Sequence, residues 1–178
     1  MIRTIAAALM AASSAAGHAE TDAFERMSVP AYRALVFDAG AAYRNGDYAK
    51  AFGGFQRAAC AGDKPSQAAL ARMLVLGQGA QRNDELAYAW LVTAAESGLT
   101  TYRTLAQAIE QGMTPERRDG AARTAQALLE DYGTRATHMS CLRSDSSGGH
   151  IVDTVQCTPS AAGSGKLLVH RCVGEGAR

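Results

Sequence analysis

The sequence predicts a mainly α protein, a short α-solenoid of helical hairpins followed by a small cysteine-containing β-rich tail. Three observations predict it. Ala51, Phe52, Phe55, Ala58, Ala59 and Gly62 recur 36 positions later as Ala87, Tyr88, Leu91, Ala94, Ala95 and Gly98, a fixed period of the kind that stacked two-helix units produce. Between these marks, glycine-punctuated turns separate stretches with apolar residues at i, i+3 and i+4. Beyond Gly133 that spacing gives way to short β-rich runs divided by Ser, Gly and Pro.

The chain opens MIRTIAAALMAASSAAGHAE. Arg3 supplies a positive end, Ile5 to Ala12 an apolar core, and Gly17-His18-Ala19 a small-x-small cleavage site. Residues 1–19 are therefore expected to be a secretory signal peptide. No later apolar run approaches the roughly 18 residues a membrane-spanning helix needs, and no cysteine stands at a lipidation position. The expectation is export without membrane insertion after cleavage.

The helical-repeat domain is read over 20–133, in units of about 30–62, 63–98 and 99–133. Residues 20–45 carry the first helical segment, with a stripe of Ala31, Ala34, Leu35, Ala39 and Ala42 after Pro30, a good helix-start residue. Gly46 stops it, and Asp47 caps the next helix, which runs from Tyr48 to about Ala61. In the second unit Pro65 opens a helix through Leu76, with Ala69, Leu70, Met73 and Leu74 inward. Gly77-Gln78-Gly79 reverses the chain. Asn83 or Asp84 then caps a return helix whose inner face is Ala87, Trp90, Leu91, Ala94 and Ala95; Trp90 is read as core. In the third unit Gly112 ends a helix begun at Thr100. Thr114-Pro115-Glu116 starts the last one as N-cap, proline and first-turn acid. Its polar face, with Arg117, Arg118 and Arg123, reads as the solvated cap of a solenoid or as a basic docking patch.

The tail, 134–178, contains three β-rich runs: 137–143, 150–157 and 166–173. They suggest a small meander, too slight to be stable alone. Four cysteines, Cys60, Cys141, Cys157 and Cys172, are disulfide candidates in an exported chain, with three possible pairings. The full chain has 18 Lys and Arg against 17 acids, and loss of Arg3 with the leader balances them. That argues against nucleic acid or an acidic membrane as an obligatory partner. Arginine far outnumbers lysine (Lys50, Lys64 and Lys166 only), a hint of a GC-rich bacterial source and hence of a periplasmic or secreted protein.

The stretch from Gly62 to Gly98 resembles the Sel-one-like repeat family, a variant of tetratricopeptide-like helical hairpins. The residues that carry the resemblance are Leu70 and Met73 in the first helix and Gly77-Gln78-Gly79 in the loop. Asn83/Asp84, Ala87, Trp90, Ala94, Ala95 and Gly98 continue it. The preceding unit matches only its second-helix half, the third lacks the G-x-G loop, and the tail lies outside. The resemblance implies a right-handed α-solenoid used as an interaction scaffold, often in bacterial envelopes. Some exported relatives carry a cysteine pair within each repeat. Here Cys60 matches its first half and no cysteine follows in the next helix, so Cys60 is either a buried thiol or the partner of a tail cysteine.

Catalytic patterns are missing. No serine has a lysine three residues on, and Gly-x-Ser-x-Gly, Cys-x-x-Cys-His and His-Glu-x-x-His do not occur. Ser164-Gly165-Lys166 lacks the upstream glycine of a phosphate loop, and Leu167 stands where Ser or Thr is needed. The His and Cys residues of the tail (His138, Cys141, His150, Cys157, His170, Cys172) are metal-ligand types, against which stands a disulfide with solvent-facing histidines. The function expected is therefore a non-enzymatic adaptor without cofactor or metal, binding another envelope or secreted protein. First-helix residues off the core stripe, Gln67, Ala71, Arg72 and Val75, are the candidate groove. The alternatives are a metal-binding or hydrolytic tail module and a structural envelope subunit.

Overall fold

A computed structural model describes residues 24–144, 154–160 and 165–172. The expected signal peptide and His150 lie outside the described residues. The element order is β1 (Phe24–Ser28), α1 (Val29–Arg44), α2 (Tyr48–Cys60), α3 (Lys64–Leu76), α4 (Asp84–Ala94), α5 (Thr100–Gln111), α6 (Pro115–Tyr132), β2 (Met139–Ser144), β3 (Thr154–Pro159) and β4 (Lys166–His170). A single 3₁₀ turn, Ala95–Ser97, closes α4.

Each helix starts where local chemistry dictates. The side chains of Ser28, Asp47, Asp63, Asn83 and Thr114 accept from backbone N–H groups in the first turns of α1, α2, α3, α4 and α6, satisfying donors that would otherwise be orphaned. Helix α3 ends on Gly77 in the left-handed conformation, φ 64°. Gly79, φ 77°, follows, and a side chain there would run into the Tyr48 carbonyl and Phe52. Glycine is what lets the α3–α4 loop lie against α2.

The helices pack as antiparallel neighbours, α1 on α2, α2 on α3 and α3 on α4. The third unit departs from that plan: α5 and α6 both pack on α4, and α6 does not run along α5. Small residues make the close contacts, with Ala51, Ala58, Ala59, Ala71, Ala87, Ala89, Ala94 and Ala121 all at 0% exposure. The central core joins Leu70, Leu74, Trp90, Leu91 and Tyr132, with the Trp90 and Tyr132 rings stacked at 5.6 Å.

Two expectations are corrected. Residues 24–28 are a strand rather than part of a helix. In that segment Phe24 packs edge-on to His170 while its backbone pairs with β4 in antiparallel register, Phe24↔His170 to Ser28↔Lys166. The tail is also not a three-stranded meander: β2 pairs with β3, and β4 pairs with β1. A pair of short strands needs a packed face to persist. Leu167, Val169 and Met139 supply it by burying against Tyr32 and Ala61.

Candidate partner-binding groove

Leu70, Met73, Ala87, Trp90 and Ala94 are buried, Gly77 and Gly79 turn the loop, Ala95 begins the 3₁₀ turn, and Gly98 ends it at φ 80°. Between α3, α4 and α5 lies a cavity of about 890 Å³. One wall comes from α3 (Ala68, Ala69, Arg72, Val75, Leu76), the other from α5 (Leu105, Ala108, Ile109), with Leu91 of α4 and Met113 of the α5–α6 turn between them.

The lining is apolar, and its charges sit at the rim. Leu76 and Leu105, 53% and 48% exposed, both line this one cavity. Arg82 donates to both oxygens of Asp84 at 2.9 Å, and Arg117 donates to Glu85 at 2.7 Å. The Arg72 guanidinium lies over the Tyr43 ring, 5.5 Å from its centroid, and the Tyr43 hydroxyl donates to Gln78 Oε1 at 2.9 Å.

Of the four groove candidates, Arg72 and Val75 line the cavity. Gln67 and Ala71 do not, and the expectation for these two is corrected. Both have 0% exposure, so no partner can touch them. Ala71 belongs to the central core. Gln67 Nε2 donates to the carbonyls of Ala59 and Tyr132, each at 3.0 Å, and thereby ties the end of α2 to the end of α6. The α5 wall was missed by the sequence reading, although the signal was present. The 36-residue offset carries Ala69, Arg72 and Leu76 onto Leu105, Ala108 and Gly112, all of which line the cavity.

A buried polar seam fixes the other side of the α3–α4 unit. Lys64, with no exposed surface, donates to Glu96 Oε2 at 2.7 Å and to the Thr93 carbonyl at 3.2 Å. Glu96 also accepts from the backbone N–H of Thr134 at 2.9 Å. Burial pulls the Lys64 pKa down against the pull of Glu96. Burial raises that of Glu96, but the Lys64 hydrogen bond and charge together with the Thr134 hydrogen bonds outweigh it and leave the carboxyl below its ordinary value. Asp63 is raised, chiefly by burial, with the Tyr32 hydroxyl donating to it at 3.3 Å. The seam is buried at its Lys64 end and reaches solvent at Glu96, where it joins α4 to the turn after α6.

All four disulfide candidates pair, Cys60 with Cys172 and Cys141 with Cys157. Cys60 is thus the partner of a tail cysteine. The metal-site alternative loses its donors, because a cystine sulfur is not a thiolate ligand. The described histidines do not converge either: Phe24 stands between His138 and His170, at ring distances of 5.8 and 4.8 Å. Among the described residues no three His, Cys, Asp or Glu side chains are grouped to hold a metal ion, and no helix is long and apolar enough to cross a membrane.

No family model matches the chain, and no curated protein does. Among solved structures, the chain is similar to the crystal structure of c5321, a protective antigen present in uropathogenic Escherichia coli strains and displaying an SLR (Sel-one-like repeat) fold. The TM-score is 0.55 and the sequence identity 22%, over 60% of this chain. The likeness supports a helical-repeat solenoid for the helical body. Its length corresponds to a stretch of that antigen: the match covers 24% of the antigen's chain. At this identity the likeness speaks to fold alone.

Proposed function

We propose that this chain is an exported interaction scaffold that holds a partner protein or peptide in the groove between α3 and α5. The observation that carries the reading is the apolar cavity itself, walled by two successive first helices of the repeat and lined by half-exposed Leu76 and Leu105. Repeat arrays use the concave surface between stacked units in this way. The lining offers no Ser, Thr, Cys, His, Lys or Tyr side chain, and its one carboxylate, Asp84, is paired with Arg82, a lining that favours binding over catalysis. Two disulfides fit an oxidising compartment, which supports export to a periplasm or the exterior.

Affinity capture after mild cross-linking tests the reading. Tagged protein carrying Leu105→Glu, folded by its melting curve, is compared with the unaltered chain in envelope extract. The reading expects one dominant partner with the unaltered chain and its loss with the variant. A partner retained equally by both would move the binding surface elsewhere.

A further inference from the structure

We propose that Arg72 is the anion anchor of this groove, so that the bound segment is an aliphatic peptide presenting a free carboxylate. The proposal rests on the groove reading and deepens it. The other two guanidinium groups at the rim are already occupied, Arg82 by Asp84 and Arg117 by Glu85. Arg72 makes no ion pair with a carboxylate among the described residues. It is exposed, and it is held: its guanidinium rests on the Tyr43 ring, which is itself fixed by the hydrogen bond to Gln78.

A cation–π contact of this kind uses no N–H hydrogen bond to a carboxylate, which leaves the guanidinium its fork of donors, the geometry that grips a carboxylate with two parallel hydrogen bonds. Pinning the ring lowers the ordering cost of making those bonds. The ligand chemistry follows from the surroundings. A single uncompensated cation flanked by Leu76, Ala108 and Ile109 matches one negative charge next to aliphatic side chains. A polyanion would need a row of cations. At about 890 Å³ the cavity lies near the top of the ~300–1,000 Å³ range of ligand sites, which leaves room for several residues of a peptide. Seating those residues excludes water from the guanidinium and strengthens the charge pair.

The test uses methyl-labelled protein, residues 20–178 with both disulfides formed, and two synthetic probes. One is N-acetyl-Gln-Leu-Ala-Ala-Leu with a free C-terminal carboxylate; the other is the same peptide as its C-terminal amide. The acid is expected to shift the methyl signals of Leu76, Leu105 and Ile109 and to bind about tenfold more tightly than the amide, a difference of about 1.4 kcal/mol. Arg72→Gln should erase that preference, Arg72→Lys should restore part of it, and Tyr43→Leu should weaken the acid while leaving the amide unchanged. Equal binding of acid and amide in the groove overturns the anchor and leaves the groove reading standing. Failure of both peptides to shift groove methyls overturns both. Self-association abolished by Leu105→Glu would assign the groove to a second copy of the chain and likewise overturn the proposal.

Discussion

Cys60 and Cys172 are 112 positions apart in sequence and 5.1 Å apart between Cα atoms, so the bridge ties the chain beyond β4 to the C-terminal end of α2. Both residues pack in the central core with Trp90 and Tyr132. In the chain-entropy picture a cross-link over ~100 residues restricts the unfolded chain by about 4.7 kcal/mol, against about 3 for a loop of ~15 residues. Cys141–Cys157 spans 16. The Cys60→Ala/Cys172→Ala pair should therefore lose about 1–2 kcal/mol more stability in urea titration than Cys141→Ala/Cys157→Ala. Equal losses would contradict the account of how the tail is held.

Gln67 holds two helix ends together from within the core. Gln67→Ala removes both of its hydrogen bonds and leaves a hole, for an expected loss of about 2–3 kcal/mol. Arg72→Ala, at the exposed rim only five positions further along the same helix, should cost less than about 1 kcal/mol. Urea midpoints at constant slope check the contrast, and similar costs at both positions would contradict the division between core and groove.

The helices were legible because their signals are local. Asp47, Asn83, Thr114 and the prolines at 30, 65 and 115 mark starts within a few residues of where α1 to α4 and α6 begin, and α5 starts at Thr100 as read. What was not legible depends on distant partners. Phe24–Ser28 is a strand only because Lys166–His170 lies beside it, and its five residues carry too little pattern to announce this. Gln67 reads as an exposed polar residue until the Tyr132 carbonyl, 65 positions away, is brought next to it. Arg72 and Val75 read as off the core stripe and line the cavity, and the 36-residue offset carries Arg72 onto Ala108 of the other wall; Leu105 corresponds to Ala69, which reads as inward, so the stripe argument does not reach it.

The Lys64–Glu96 pair has a definite pH signature. Glu96 is depressed below its ordinary value of 4.5, so the stability it contributes is complete above that pH and is lost as pH falls through the folded-state value. Asp63, raised by burial, acts in the opposite direction on acidification, so comparison with Glu96→Gln isolates the pair. At pH 7 the variant should be about 2 kcal/mol less stable; the carboxylate keeps a third of its surface in water, which places it below the ~3–5 kcal/mol of a fully buried pair. The gap between the two proteins should narrow at pH 3.5. A gap that stays constant would remove the ion pair as its source.

Gly79 and Gly53 make a matched test of the loop at the mouth of the groove. Alanine at position 79 meets a positive φ and the Tyr48 carbonyl, with an expected cost of about 1–3 kcal/mol. Alanine at 53, within α2 with open space around the added carbon, should stabilise by about 0.5–1 kcal/mol. Thermal melts of the two variants check the opposite signs.

The most direct test of the groove is site-specific photo-crosslinking in native cells. A photoreactive amino acid is placed at Leu105, inside the groove, and separately at Ala127, on the exposed face of α6. The account predicts one discrete adduct of higher mass from position 105, absent from position 127. Adducts of equal yield from both positions, or from 127 alone, would contradict the claim that the cleft between α3 and α5 is where this protein meets its partner.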